Sequence, residues 1–252
     1  MSKFMSKSIM NTTLNYSPNF GVKKRKVKEI KFIIFHYTGM KKQNQAINRL
    51  TDSKSKVSSH YLIKNNGEIL TLVPDLYVAW HAGVSSWKNY KSINKYSIGI
   101  EISNPGHEYS YKKFSKKQIK SIMKLSIYLK KKYKIKSNSI LGHSDIAPDR
   151  KKDPGEKFPW KYLSKNKIGH WYNLNEKKLI KKRNFTADKL EKIKFIKNLY
   201  EIGYPKNILF NKYKNSKLLT TAFQRRFRQE LVNGIIDQEC LFISNNLAKN
   251  LK

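Results

Sequence analysis

The chain predicts an α/β fold, a mixed central β-sheet flanked by helices, with a small three-helix unit at its C-terminal end. Three observations predict it. Short apolar runs at Phe32–Phe35, Ile98–Ile102 and Ile140–Leu141 each open into a polar loop, as buried strands do at the edge of an α/β sheet. Between the last two runs lies a stretch with apolar residues at helical spacing, so strand, helix and strand alternate. Beyond Thr186 no strand pattern survives, and three helical stripes follow in about 65 residues.

Taken in order, residues 1–30 are polar and end in a basic run from Lys23 to Lys28, which reads as an N-terminal arm. Phe32-Ile33-Ile34-Phe35 is the first strand, and Gln43 to Leu50 a short helix. His60-Tyr61-Leu62-Ile63, Asn65-Asn66-Gly67 and Ile69-Leu70-Thr71-Leu72-Val73 form a β-hairpin with glycine at the turn. Ile98-Gly99-Ile100-Glu101-Ile102 alternates apolar with small or polar residues, and a carboxylate such as Glu101 inside it is costly unless paired or functional. Ser115 and Gln118 match a capping box, with Ile119, Ile122, Met123, Leu129 and Tyr133 at helical spacing behind them. Ile140 to Gly142 is the strand that delivers His143.

The lysine-rich stretch 166–185 reads as a linker that still packs Trp171 and Tyr172. Leu190, Ile193, Ile196 and Tyr200 make a helix stopped by Gly203, Leu218 to Phe227 a second, and Asp237 caps a third running to Leu247. The organisation is therefore an arm over 1–30, a catalytic domain over 31–165, a linker over 166–185 and a helical unit over 186–252. On this reading a chain ending near Asn184 folds by itself.

A length of 252 residues suits one large domain, or a large and a small one. The net charge of +36 comes from 53 basic residues, of which only seven are arginine. A dedicated nucleic-acid surface leans on arginine for bidentate contacts, so the lysines read as a solvated surface whose field draws anionic ligands. The single Cys240 excludes an internal disulfide and a Cys-rich zinc site, and reads as a small core residue. No run reaches the ~18 apolar residues of a membrane span. Met1 to Phe20 is broken by Lys3, Lys7, Asn11 and Asn15, so no signal-peptide core is seen and the chain reads as cytoplasmic, with export to the periplasm or cell envelope as the alternative.

Each of the six histidines has a place in this pattern. His107 and His170 lie in polar, glycine-adjacent stretches and read as surface residues. His60 opens the hairpin, and His81 sits in the aromatic-lined loop Trp80-His81-Ala82-Gly83. His36 and His143 each end a strand and precede a polar turn. With Asp153 they would supply three ligands to a zinc ion and leave its fourth position open, the arrangement of a catalytic site. Position alone favours two structural histidines over two ligands, and Asp153 before Pro154-Gly155 favours a turn carboxylate.

Five blocks occur in one order: His36-Tyr37-Thr38, Val57-Ser58-Ser59-His60-Tyr61, Ala79-Trp80-His81-Ala82-Gly83, Ser97-Ile98-Gly99-Ile100-Glu101, and His143-Ser144-Asp145-Ile146-Ala147-Pro148 running on to Lys151-Lys152-Asp153-Pro154-Gly155. Together they resemble the zinc-dependent N-acetylmuramoyl-L-alanine amidases of the amidase type 2 and peptidoglycan recognition superfamily, and within it the AmiD-like branch. The resemblance covers roughly Lys31 to Trp160. At lower specificity, Thr221-Ala222-Phe223-Gln224, Phe227 and Asn233-Gly234-Ile235-Ile236-Asp237 are similar to the three-helix peptidoglycan-binding module that follows the catalytic domain in that branch.

The resemblance implies that His36, His143 and Asp153 hold one Zn2+, that Glu101 is the general base and that Lys151 stabilises the oxyanion. It implies sugar or peptide contacts at Tyr37, His60, Trp80 and His81. The implied reaction is hydrolysis of the amide between the lactyl group of (anhydro-)N-acetylmuramic acid and L-alanine, in peptidoglycan or muropeptides, as part of cell-wall recycling. A non-catalytic peptidoglycan recognition protein is the competing reading. Such proteins lose a ligand or the base, whereas all five groups are present here. A main function in nucleic-acid binding finds no motif to carry it.

Overall fold

The computed structural model describes residues 11–206 and 212–250. In chain order it contains β1 (Thr13–Leu14), β2 (Phe20–Gly21), β3 (Phe32–Tyr37), α1 (Gln43–Thr51), β4 (Tyr61–Ile63), β5 (Ile69–Thr71), β6 (Val78–Ala79), β7 (Ser86–Trp87) and β8 (Tyr90–Lys91). There follow β9 (Ser97–Ile102), α2 (Lys116–Tyr133), β10 (Ile140–Gly142), α3 (His143–Ile146), α4 (Trp160–Lys165), α5 (Glu176–Ile180), α6 (Lys189–Ile202), α7 (Lys212–Phe227) and α8 (Gln238–Lys249). Among the described residues no helix is long and apolar enough to cross a membrane.

A six-stranded sheet runs in the order β1-β5-β4-β9-β3-β10. Strands β4, β9, β3 and β10 are mutually parallel, and β5 turns back antiparallel to β4 as the hairpin pattern predicts. The sheet is mixed, as expected. Its central strands are covered on both faces, which is why they read as nearly continuous apolar runs. On one face Ile33, Phe35, Ile98, Ile100, Ile102 and Ile140 pack with Ile122, Leu125 and Leu129 of α2. The capping box of α2 forms: the Gln118 amide donates to Ser115 Oγ at 3.2 Å and the Ser115 amide to Gln118 Oε1 at 3.0 Å. Ile119 and Met123, expected in its apolar stripe, lie partly buried at the edge of that cluster.

The opposite face of the sheet is covered from the C-terminal part of the chain. Phe32, Ile34, Leu141 and Ile146 belong to one hydrophobic cluster with Phe195 and Leu199 of α6 and Phe223 and Phe227 of α7. The C-terminal helices are therefore the second cover of the sheet and share its core. The stretch 166–185, read as a linker, carries α5 and buries Ile168 and Leu179. Its interspersed lysines and asparagines mask the few apolar residues that anchor it. The arm is likewise not loose where it is described: β1 pairs with β5, and Arg25 donates to the Asp75 carbonyl at 2.7 Å. Residues 1–10 lie outside the described residues.

This topology places the chemistry. Parallel strands end on the same side of a sheet, and His36 of β3 stands in register with Glu101 of β9. Gly142, the end of β10, pairs with Phe35, so His143 emerges beside His36.

Candidate active site

Three side chains converge where those strands end. His36 Nδ1 lies 3.0 Å from His143 Nδ1 and 3.0 Å from Asp153 Oδ2, and His143 Nδ1 lies 3.1 Å from the same oxygen. All three residues are buried, and among the described residues they are the group whose donor atoms fall together as a metal site would require.

The proton positions follow from the surrounding partners. Ser97 Oγ donates to the Ile93 carbonyl at 2.7 Å, so toward His81 Nε2, 3.1 Å away, it is the acceptor. His81 Nδ1 is then unprotonated and accepts from His36 Nε2 at 3.0 Å. His36 Nδ1 is left with a bare lone pair. His143 Nε2 faces the Ala82 carbonyl at 3.2 Å, which can only accept, so its Nδ1 is bare as well. Two bare imidazole nitrogens and a carboxylate oxygen repel one another at such separations unless a cation lies between them. A tetrahedron built on zinc bonds of ~2.1 Å has edges of about 3.4 Å, close to the observed spacing.

The electrostatics agree with a cation site. Burial, reinforced by His143, brings His36 down to about 4. Burial alone would raise Asp153, but His143 and His36 outweigh it and hold the carboxyl well below the usual carboxylate range. A neutral imidazole and an ionised carboxylate are the forms that ligate.

The triad opens into a cleft of about 430 Å³ that is also lined by Tyr37, Trp80, His81, Glu101 and Lys151. Glu101 Oε2 is buried without a hydrogen-bond partner. Burial, with the negative charge of Asp153, pushes this carboxyl well above its ordinary value, while Lys151 draws it back. An unsatisfied carboxylate oxygen beside three metal-type ligands is poised for a proton rather than for packing.

Of the expected substrate contacts, Tyr37 and Trp80 face the cleft. His81 faces it too, but both its ring nitrogens are engaged, so it is an orienting partner for His36. Its ring packs onto Gly99, where a Cβ would fall 2.4 Å from His81 Cγ. His60 is corrected: it is fully buried behind His81, with Nδ1 accepting from the Gly99 amide at 3.0 Å and Nε2 3.0 Å from the Tyr77 carbonyl. Its contacts are internal, and no substrate reaches it. Burial, then the charge of Arg25, lowers it to about 3.

His107, read as a surface residue, lies on the cleft wall, 2.9 Å from the Tyr37 hydroxyl and 3.0 Å from Glu156 Oε2. His170 is half-buried, its Nε2 without a partner. Sequence reasoning also missed the supports of the His143 loop. Asp145 Oδ2 accepts from the Gly142 amide at 2.7 Å and from Arg226 of α7, and Asp145 Oδ1 accepts from the Tyr204 hydroxyl at 3.0 Å. Arg150 reaches back to the carbonyls of Ala82 and Val84. These partners lie tens of residues apart, and no local pattern marks them.

His81→Ala is expected to weaken metal affinity about 10- to 100-fold, the usual scale for losing an orienting partner of a ligating histidine. Competition against a chelating dye measures it. Undiminished affinity would show that β3 alone orients His36.

A parallel-edge cleft with a His-His-Asp triad and a buried carboxylate defines a metal-dependent hydrolase site. Residues 26–156 match the model of the Amidase_2 family, N-acetylmuramoyl-L-alanine amidase, and the chain belongs to that family. It is 33% identical over 232 residues to N-acetylmuramoyl-L-alanine amidase AmiD of Escherichia coli, covering 87% of this chain and 83% of that one. It is 40% identical over 111 residues to 1,6-anhydro-N-acetylmuramyl-L-alanine amidase AmpD of Haemophilus influenzae, covering 43% of this chain and 58% of the relative. The structure of E. coli AmiD in complex with anhydro-N-acetylmuramic acid-L-Ala-D-gamma-Glu-L-Lys superposes with a TM-score of 0.78 at 31% identity, over 88% of this chain and 90% of AmiD. AmpDh3 from Pseudomonas aeruginosa, in complex with anhydromuramic pentapeptide, gives 0.77 at 27% identity over 100% and 99% of the two chains.

Proposed function

We propose that the protein is a zinc-dependent N-acetylmuramoyl-L-alanine amidase acting on (anhydro-)muropeptides in cell-wall recycling. It would cut the amide between the lactyl group of the muramic acid and L-alanine. The observation that carries this reading is the convergence of His36 Nδ1, His143 Nδ1 and Asp153 Oδ2 within about 3 Å of one another, in the same cleft as Glu101, whose buried Oε2 has no hydrogen-bond partner. Non-catalytic recognition, the competing reading, has no use for that carboxyl.

His36, His143 and Asp153 are the residues that would hold zinc. When bound, it supplies a Lewis acid for the scissile carbonyl and lowers the pKa of water toward neutrality. Glu101 takes the proton from the attacking water and passes it to the departing amine of L-alanine. Lys151 places its ammonium in the same cleft, where a fixed positive charge favours the oxyanion of the transition state over the neutral carbonyl. Tyr37 and Trp80 line the space available to sugar and peptide.

Purified protein is expected to carry about one zinc per chain, and His143→Ala to lose metal and activity together. Mass spectrometry of a defined anhydro-muropeptide, incubated with and without a chelator, tests the reaction. Free peptide that forms only with zinc supports the reading. A His143→Ala protein with full zinc and a normal rate would refute the ligand set.

A further inference from the structure

A second groove of about 310 Å³ adjoins the catalytic cleft and shares Arg150, Lys151 and Lys152 with it. Its far wall is α7, through Lys217, Thr221 and Arg225. Five cations line it against one carboxylate, Asp149. In so lysine-rich a chain a cationic groove alone would say little, but the arginines discriminate.

Of the seven arginines, five are fixed in structural bonds. Arg25 bonds to Asp75, Arg150 to Val84, Arg183 to Glu239, Arg226 to Ile140 and Arg228 to Asn233. The guanidinium groups of the remaining two, Arg49 and Arg225, make no hydrogen bond or ion pair among the described residues, and Arg49 lines the catalytic cleft itself. Arg225 is half-buried and its Nε is enclosed without a partner. Its charge is felt by Tyr37 on the cleft wall and by Glu156, and burial draws it below its ordinary pKa, the cost of holding an unpaired cation there. A planar, partly desolvated guanidinium without a partner is suited to a carboxylate it does not yet hold.

The geometry points to this groove as the subsite for the peptide part of the substrate, with Arg225, assisted by Lys217 and Lys152, receiving its free carboxylates. The inference rests on the proposed amidase function. The ligand held by E. coli AmiD illustrates the chemistry: a γ-linked glutamate keeps its α-carboxylate free, and the terminal lysine bears another. The C-terminal helices would then contribute directly to substrate choice.

The test compares anhydro-N-acetylmuramoyl-L-Ala-D-γ-Glu-L-Lys with the same compound amidated at both carboxyls. The parent protein is expected to prefer the free acid in kcat/KM, by about 10-fold or more for a lost charge-assisted contact. Arg225→Gln is expected to bring that preference close to one, with the loss in KM, and Arg225→Lys to restore part of it. Lys217→Gln, at an exposed position, is expected to reduce the preference without disturbing the core, and it serves if Arg225→Gln fails to fold. A parent that cleaves both compounds equally well, or variants that keep the parent's preference, would overturn the subsite. A parent that cleaves neither compound would instead overturn the amidase reading.

Discussion

Glu101→Gln is expected to bind zinc as the parent protein does and to lose about 10²–10⁴-fold in kcat, the scale of general acid–base catalysis. Glutamine is nearly isosteric, so β9 and its register with His36 should persist. What disappears is the group that accepts a proton from water, and because it acts in the transition state, KM should move little. Lys151→Ala should behave alike, with metal retained and kcat lowered through lost oxyanion stabilisation. Zinc content and kcat measured on one preparation decide the matter. A kcat within about threefold of the parent would place the base elsewhere. His60 is sealed in the core and His81 is bonded to His36, so Glu108, a further carboxylate on the cleft, would be examined next.

A chain ending at Asn184 is expected not to fold, the reverse of what the sequence pattern suggests. Without α6 and α7, the side chains of Phe32, Ile34, Leu141 and Ile146 lose the partners that bury them. Asp145, at 1% exposure, loses Arg226 and Tyr204 together. Removing one partner of a buried ion pair costs about 3–5 kcal/mol, a large part of the ~5–15 kcal/mol by which domains are stable. Arg226→Met in the full chain isolates that contribution. It should lower Tm and loosen the turn that presents His143, while the apolar stem still packs near Trp160, over which the guanidinium lies at 4.3 Å. Circular dichroism and thermal melts check both variants. A cooperative melt and unimpaired cleavage of small muropeptides by the shortened chain would show that the sheet face needs no such cover.

Much of the site was legible because strands ending in polar residues announce where a parallel sheet opens. His36 and His143 end such strands, and Glu101 stands out as the one charge within an apolar strand. Asp153 was not legible in this way, since a carboxylate before Pro-Gly suits any turn, and only the ordered blocks around it singled it out. The strands, α2 with its cap, and the caps of the C-terminal helices follow from local rules of periodicity and hydrogen bonding. What those rules do not carry is which apolar face meets which. The stripe read through Leu190, Ile193, Ile196 and Tyr200 located α6 but not its buried face: Leu190 and Ile193 are exposed, and Phe195 and Leu199 are the side chains that meet Phe32 and Ile34. His107 and Arg225 escaped notice for a related reason, because only tertiary structure sets the Tyr37 hydroxyl beside His107 and half-buries Arg225 next to the cleft.

The threefold duty of α7 limits how such an enzyme can be rearranged. The helix closes the hydrophobic sheet with Phe223 and Phe227, grips the His143 turn with Arg226 and walls the second groove with Arg225. Adjacent residues thus face three different tasks, and the segment is no detachable cassette. A recombination that replaced it would have to bring a matching sheet surface at Phe32, Ile34, Leu141 and Ile146, along with a new counter-charge for Asp145. Diversification of the C-terminal region is thereby tied to compensating change in the catalytic half, and the two are expected to be inherited as one unit.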